Sequence, residues 1–303
     1  MFLTREIAQY VEYLKARGYS SETVKSYRHN LKIFEKYLKE GEFTELNEIN
    51  REVVFRYQMY LTNHQPVISL FMQRSCLLVV KSFTRYLVKA GRMLFNPASE
   101  IELPRLRKKL PKGILSVKEV KRLLKQPDVK TVLGIRDRAI LEVLYSGGMR
   151  NKELRGLKIN DVDLKEGTLR IDDGKGGKDR IIPLGKKAGE YLEQYLQTAR
   201  GKLTGHSGDQ IVFMGRKKRG LSSEAVSDMV GKYARQAGFK NPVTPHTLRH
   251  TCATHMLKNR AGLRHIQVLL GHKCLETTQK YTQVEISDLK RVHAKYHPRE
   301  NQT

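Results

Sequence analysis

Three prolines interrupt the chain between residues 96 and 113, in the stretch NPASEIELPRLRKKLPKG. Proline lacks a backbone N–H and disrupts a helix, so no regular helix is expected to run through this stretch. Four basic residues lie between Arg105 and Lys109. We therefore expect a basic linker at residues 101–114 that joins two domains, residues 1–100 and residues 115–303. A solvated charged loop is the alternative that the stretch alone leaves open.

The first hundred residues have the apolar spacing of helices. Residues 4–40 show this periodicity, and within SETVKSYRHNLKIFEKYLKE the apolar side chains recur every three or four positions: Val24, Tyr27, Leu31, Phe34 and Leu38. Further helices are predicted through residues 50–63 and 66–90, the second ending at Gly91 as a C-cap. We expect residues 1–100 to be entirely helical.

The second domain is predicted to be mainly helical with a small β-sheet. Ser116 and Glu119 have the spacing of a capping box, with Leu115 and Val120 placed as a hydrophobic staple. A helix follows through residues 135–148, then a short helix and turn at 151–164. From residue 186 onward the pattern is helical again, including the C-terminal segment 286–300.

A β-hairpin is the exception within this helical pattern. In GTLRIDDGKGGKDRIIPLG (167–185), two β-prone runs flank a turn rich in Gly and Asp. The predicted fold class is therefore mainly α with a small β-sheet (α+β).

The net charge of the chain favours some classes of binding partner over others. The 303 residues include 57 Lys and Arg against 31 Asp and Glu, a net charge of +26. Residues 1–100 carry +5 of it and residues 101–303 carry +21. Such an excess favours a polyanion, nucleic acid ahead of a membrane surface. A merely soluble basic protein, or an RNA-binding factor, is the alternative.

The cellular compartment can be predicted from three features: apolar runs, the N-terminal segment and the cysteines. No apolar run approaches the roughly 20 residues needed to span a bilayer, and the charged N-terminus does not resemble a signal peptide. Cys76, Cys252 and Cys274 are an odd number without close pairing, which fits a reducing compartment. We expect a soluble, cytoplasmic protein without membrane contact.

The stretch PHTLRHTCATHM (245–256) concentrates basic groups at the start of a predicted helix. Thr244 suits the N-cap and Pro245 the first helical position, so His246 and Arg249 lie in the opening turns. The exposed N–H groups and the dipole there favour an anion. The His246–His250 spacing also occurs in zinc sites, but Thr247 stands where a zinc protease has glutamate and Arg249 would place a cation beside the metal. We expect phosphate rather than metal.

Four ordered motifs together resemble the tyrosine recombinases of the phage integrase superfamily, most closely the Xer branch. YSGGMRNKELRGLKINDVDL (145–164) resembles the first arginine box, and DGKGGKDRIIPLG (173–185) the hairpin lysine motif. PHTLRHTCATHML (245–257) resembles the His-x-x-Arg box, and LLGHKCLETTQKYT (269–282) the closing histidine and tyrosine box. The N-terminal part also resembles the family's helical core-binding, SAM-like domain.

The resemblance implies a role for each of six residues. Tyr281 is the expected nucleophile, which forms a 3′-phosphotyrosyl bond with DNA. Arg150 and Arg249 are expected to bind the non-bridging phosphate oxygens. Lys175 would protonate the departing 5′-oxygen, with Lys178 as a fallback because the hairpin approach is one position longer than the Xer pattern.

His246 and His272 complete the implied site. His246 would assist proton transfer at the tyrosine, and His272 would hydrogen-bond the phosphate or steady the nucleophile. His250 is interpreted as a supporting or structural residue, and His255 as a residue of the hydrophobic core. Glu153 and Asp161 are interpreted as supporting contacts. Considered singly, Arg150 could equally be a surface ion-pair partner of Glu153.

These residue types suit phosphoryl transfer without a cofactor. Guanidinium groups match phosphate oxygens in two-pronged geometry, and a phenol with a pKa of about 10 needs a base and nearby cations to react at neutral pH. We expect neither a metal ion nor ATP, because fixed cations stabilise the developing charge and the covalent bond conserves the energy of the phosphodiester.

The predicted function is site-specific recombination of double-stranded DNA. The resemblance implies a C-shaped clamp around DNA and a homo- or hetero-tetramer acting through a Holliday junction, with residues 286–300 docked on a neighbouring protomer. A translocase or accessory protein is a possible further partner. The alternatives are DNA relaxation like that of a type IB topoisomerase and a catalytically inactive DNA-binding protein. Dimer resolution and mobile-element integration are both open.

Overall fold

The computed structural model describes residues 2–106, 113–172, 179–204, 210–216, 218–271 and 286–299. It divides into two compact units, Met1–Lys109 and Leu110–Thr303. Each unit has its own hydrophobic core. Among the helices of the described ranges, none combines the length and apolar character that a membrane crossing requires.

The first unit is a bundle of four helices, and the helical prediction is confirmed. They are α1 (Phe2–Ala16), α2 (Ser21–Glu40), α3 (Arg51–Thr62) and α4 (Leu70–Lys89), with a 3-10 turn at Leu46–Glu48. The periodic stretch 4–40 forms two helices rather than one. Gly18 adopts φ +73° and the Ser20 side chain accepts a hydrogen bond from the N–H of Thr23, which ends α1 and begins α2.

The segment after α4 stays attached to the first unit as far as Pro104. Gly91 has φ +66°, which fits the predicted helix end. The amide of Gln58 donates to the carbonyl of Glu102, and Arg74 donates to the carbonyl of Pro104. Residues 107–112 of the predicted linker lie outside the described residues.

The second unit packs nine helices of the described residues and one sheet around a single core. The early helices are α5 (Val117–Leu124), α6 (Val132–Gly147) and α7 (Asn151–Gly156). The capping box at the start of α5 is confirmed by hydrogen bonds in both directions between Ser116 and Glu119. After the sheet come α8 (Lys186–Gln194), continued by a π-helical turn at Tyr195–Ala199, then α9 (Arg200–Leu203), α10 (Ser223–Gln236), α11 (Pro245–Lys258), α12 (Leu263–Leu270) and α13 (Ile286–Tyr296).

The sheet confirms the predicted hairpin and adds a strand to it. Strands β2 (Thr168–Ile171) and β3 (Arg180–Pro183) pair antiparallel, with Leu169 opposite Ile182. A two-residue strand, β1 (Val162–Asp163), pairs with β2 on the other side. The predicted hairpin turn, which contains Lys175 and Lys178, lies outside the described residues.

Helix α13 packs against the rest of the second unit. Leu289 and Val292 belong to the core, and the helix contacts β3, α11 and α12. The helical prediction for this segment is confirmed. Its expected docking on a neighbouring protomer concerns an assembly and stays a prediction.

Candidate active site

Helix α11 presents two of the predicted site residues. Thr244 accepts a hydrogen bond from the N–H of Thr247, and Pro245 occupies the first turn, so the predicted N-cap is confirmed. His246 is exposed, and its ring lies edge-on to that of His250, with 4.5 Å between centroids. Arg249, one turn further along, is buried. The two residues therefore lie at different depths of the same helix end.

Arg249 is held by two carbonyl groups from distant parts of the chain. Its Nη1 donates to the carbonyl of Gly148 at 2.7 Å, and its Nη2 to the carbonyl of Leu270 at 2.5 Å. Gly148 adopts φ +57°, and a Cβ there would lie 2.9 Å from Leu270, so this turn requires glycine. Burial, and then the charge of Arg150, lower the pKa of Arg249 to about 10, which still leaves the guanidinium charged at neutral pH.

Arg150 approaches the same place from the start of α7. Its Nη1 donates to Glu153 Oε1 at 2.7 Å and its Nη2 to the carbonyl of Gly271 at 2.7 Å. Its side chain is 39% exposed, whereas that of Arg249 is 7% exposed. Arg150 therefore forms the expected ion pair with Glu153, and it also converges with Arg249 on the end of α12.

Glu153 is the carboxylate between the arginines. Its Oε2 accepts from the backbone N–H of Arg150 at 2.8 Å and from Nη2 of Arg180 at 2.9 Å, and it lies 4.0 Å from Nη1 of Arg249. Burial alone would raise the pKa of Glu153, but the hydrogen bonds from Arg180 and Arg150 outweigh burial and lower the pKa. Glu153 is therefore ionised, and the cluster of one carboxylate and three arginines has a positive charge.

His246 is suited to accept a proton. The loss of water on its protein-facing side lowers its pKa, and the charges of His250 and Arg249 lower the pKa further. A neutral imidazole at neutral pH can act as a base, and an imidazolium cannot.

The other predicted positions divide into two groups. Lys175, Lys178, His272 and Tyr281 lie outside the described residues. His255 and Asp161 lie within the described residues. His255 is buried, as expected of a core residue, and its ring shares a hydrogen bond of 2.9 Å with Tyr145 Oη. Asp161 accepts a hydrogen bond from the N–H of Lys158 in a 3-10 turn.

Arg180 was missed as a member of this cluster. The signal that could have found it is the alternation of β3, because side chains two apart share a face of a strand. Ile182 is fully buried and Ile181 is 49% exposed, so Arg180 lies on the inward face with Ile182.

Comparison with known proteins identifies the family of the chain. The pattern of the phage integrase family matches residues 114–287, and that of the phage integrase N-terminal SAM-like domain matches residues 7–91. The chain is 39% identical to tyrosine recombinase XerC 2 of Ralstonia nicotianae, over 98% of this chain and 87% of that protein. It is 38% identical to tyrosine recombinase XerD of Listeria monocytogenes, over 93% of this chain and 95% of that protein.

Solved structures share the fold. A λ integrase fragment in a dimer bound to a COC′ core site superposes with a TM-score of 0.70 at 18% identity, over 93% of this chain and 99% of that chain. XerH site-specific recombinase bound to difH substrate superposes with a TM-score of 0.69 at 22% identity, over 96% of this chain and 82% of that chain. The chain belongs to the phage integrase family and is a tyrosine recombinase of the Xer type, a site-specific DNA recombinase.

Proposed function

We propose that Arg150 and Arg249 bind the two non-bridging oxygens of the scissile DNA phosphate. The observation that carries this proposal is their convergence from α7 and α11 on one place, the end of α12. A guanidinium carries five N–H donors, so the two hydrogen bonds described for each arginine leave capacity for phosphate oxygens. The different exposure of the two side chains suits a ligand that enters from solvent and is contacted at two depths.

The reaction assigned to this site forms one phosphate ester as it breaks another. The phenolic oxygen of Tyr281 attacks the phosphorus, the bond from phosphorus to the 5′-oxygen breaks, and a 3′-phosphotyrosyl ester forms. His246 accepts the phenolic proton, and Lys175 gives a proton to the leaving 5′-oxygen. His272 hydrogen-bonds the phosphate or steadies Tyr281. Attack by the 5′-hydroxyl of a partner strand reverses these steps and joins the exchanged strands.

The roles of Lys175, His272 and Tyr281 are supported by their positions in family motifs. Lys175 follows β2 in the hairpin, and His272 comes directly after Gly271, whose carbonyl accepts from Arg150. Lysine suits proton donation because its pKa shifts readily in a cationic site. Lys178 is the second donor candidate in the same turn.

The proposal extends to partners and compartment. The substrate is double-stranded DNA that carries recombination sites, and both units and the basic linker contribute to binding it. Four protomers, of one or two kinds, act on two sites in the cytoplasm. The structures of a λ integrase dimer on a core site and of a λ integrase tetramer on a Holliday junction support this assembly, as does the net charge of +26.

A nicked suicide DNA substrate tests the proposed chemistry. Wild-type protein is expected to form a covalent protein–DNA adduct in the presence of a chelator, and Tyr281→Phe to bind the same DNA without forming it. Tyr296→Phe, in α13, is the matched control and should form the adduct. An adduct that persists in Tyr281→Phe contradicts the assigned nucleophile.

A further inference from the structure

Three arginines contact three consecutive carbonyl groups at the end of α12. Arg180 donates from Nε to the carbonyl of Leu269 at 3.2 Å, Arg249 to that of Leu270, and Arg150 to that of Gly271. The last carbonyls of a helix lack partners within the helix and lie at the negative end of its dipole, so cations are favourable there. The mechanism above uses Arg249 and Arg150 but gives Arg180 no part.

Arg180 is built into the site rather than placed on its surface. Its side chain is 11% exposed, and its Nη2 donates to Glu153 Oε2. Its guanidinium fills the space over Gly271, where an added Cβ would lie 2.9 Å from the guanidinium carbon. Gly271 has φ +63°, so both the backbone and the packing of Arg180 require glycine at this position.

Glu153 links Arg180 to both phosphate-binding arginines. One carboxylate oxygen, Oε2, accepts from Arg180 at 2.9 Å and lies 4.0 Å from Nη1 of Arg249. The other, Oε1, accepts from Arg150. With Oε2 hydrogen-bonded to Arg180, Arg249 donates its hydrogen bonds to carbonyl groups and keeps only a long ion pair of 4.0 Å with the carboxylate.

We propose that Arg180 is a positioning residue for DNA strand cleavage. It holds Glu153 so that the carboxylate fixes Arg150 and does not move into hydrogen-bond distance of Arg249. This inference rests on the proposed function, because it concerns the same two arginines. It goes beyond that function by assigning a third arginine that acts through Glu153 and not on the phosphate.

The expected consequence of losing Arg180 is a misplaced Arg249. Glu153 Oε2 would lose a charge-assisted hydrogen bond, and the guanidinium at 4.0 Å is in position to replace it. A shift of about 1 Å in a positioning group costs on the order of 100-fold in rate. DNA affinity depends on many phosphate contacts along both units, so it should change little.

The test compares cleavage and binding in Arg180→Ala and Arg180→Lys. The rate of adduct formation on the suicide substrate is measured at saturating protein, and the Kd is measured on uncleaved DNA. Arg180→Ala should lower the saturated rate on the order of 100-fold with little change in Kd. Arg180→Lys should recover part of the rate, because an ammonium can pair with Glu153 but cannot also reach the carbonyl of Leu269.

Arg136 offers a matched control for the cost of replacing a buried arginine. It is buried on α6, donates to Asp137 at 2.7 Å and to the carbonyl of Met214 at 2.9 Å, and belongs to the same core. Arg136→Ala and Arg136→Lys should retain the wild-type rate per folded molecule. If Arg180→Ala does not fold, the comparison of Arg180→Lys with Arg136→Lys decides, and equal rates overturn the proposal.

A double-mutant cycle with Glu153→Gln separates positioning from direct contact. If Arg180 acts through Glu153, its replacement by Ala should add little to the defect of Glu153→Gln. An equal further loss in that background would mean that Arg180 contacts the phosphate itself, and would overturn the proposal, as would a wild-type rate in Arg180→Ala. Failure of the wild type to form an adduct would instead refute the proposed function.

Discussion

Arg249 shows how a side chain can be held in place for the phosphate contact that we propose for it. Two carbonyl groups, from Gly148 and Leu270, hold its guanidinium plane, and neither lies near it in sequence. Because these hydrogen bonds fix the side chain in the free protein, little conformational entropy remains to be lost on binding. In the proposed role, the planar shape of the guanidinium therefore contributes to phosphate binding as well as its charge.

Replacement of the Arg249 guanidinium by a lysine ammonium tests whether the planar shape matters as well as the charge. Arg249→Lys keeps the charge but cannot donate to both carbonyl groups and to phosphate in the same plane. We expect adduct formation to fall by about 100-fold or more, as for loss of one donor in a preorganised anion site. Arg136→Lys serves as the control, and a near wild-type rate in Arg249→Lys would show that charge alone suffices.

The lowered pKa of His246 predicts how the cleavage rate depends on pH. As the proposed base, His246 acts in its neutral form, and that form persists below pH 6.5 because the pKa is lowered. The decrease of the cleavage rate at acid pH should therefore have its midpoint below pH 6.5, the ordinary value for a histidine. His246→Gln should remove this acid limb from the profile of rate against pH. A midpoint above 6.5 in the wild type would contradict the assignment.

At the scale of elements, the C-terminal helix shows how polar groups can hold an element to a core. Besides Leu289 and Val292, the imidazole of His293 shares a hydrogen bond of 2.9 Å with the carbonyl of Ser146, and that of His297 one of 3.3 Å with the carbonyl of Tyr145. The two imidazoles stack with 4.6 Å between centroids. The end of α13 is thereby joined to α6.

Buried His297 makes this attachment dependent on pH. Burial, and then the neighbouring His293, lower the pKa of His297 well below its usual value, so the folded protein keeps the ring neutral while the unfolded chain titrates near 6.5. The unfolded state binds more protons below about pH 6.5, and stability falls as pH decreases through that window. The slope from one such group is at most about 1.4 kcal/mol per pH unit.

Urea unfolding at pH 5, 6 and 7 measures this slope. In His297→Gln, the side-chain amide can still donate to the carbonyl of Tyr145 and does not titrate, so the free energy of unfolding should depend less steeply on pH. Other charged groups face the same place, namely Glu142 and Arg299, which pair with each other. His64→Gln, in the first unit, is the matched control, and an equal change of slope in both variants would contradict the role of His297.

At the scale of the whole molecule, charge is distributed unevenly between two independently packed units. Residues 101–303, which comprise the second unit and the basic segment 101–109 that precedes it, carry +21 of the net +26. Each lysine or arginine that neutralises a DNA phosphate releases condensed counterions, so affinity falls with salt concentration. The asymmetry predicts that most of this dependence comes from the second unit.

Measurement of the Kd between 50 and 200 mM salt tests the whole-molecule prediction. With 6–10 phosphate contacts, affinity should fall by about 10³- to 10⁵-fold across this range. Replacing exposed basic residues of the second unit, such as Lys118 and Lys121, by Gln should reduce the slope more than replacing Lys15 and Lys25 of the first unit. Equal slopes for both sets would refute the asymmetry.

Short-range patterns in the sequence were enough to predict the local elements of this protein. Ser116 with Glu119, Thr244 with Pro245, and the alternation around Leu169 and Ile182 act through hydrogen bonds and side-chain spacing within a few residues. Such short-range signals were sufficient for the helices and the hairpin. They left the break between α1 and α2 and the short strand β1 undetected, because a turn of four residues and a strand of two carry little pattern.

The meeting of Arg150, Arg180 and Arg249 in one site is visible in the tertiary structure alone. Arg150 and Arg249 are far apart in sequence, and their meeting place is the end of a third element, α12. Backbone carbonyl groups have no side-chain signature, so the contacts of the arginines with Leu269, Leu270 and Gly271 could not be inferred from residue types. Convergence of this kind depends on the packing of α6, α11 and α12 in one core, which is a property of the whole fold.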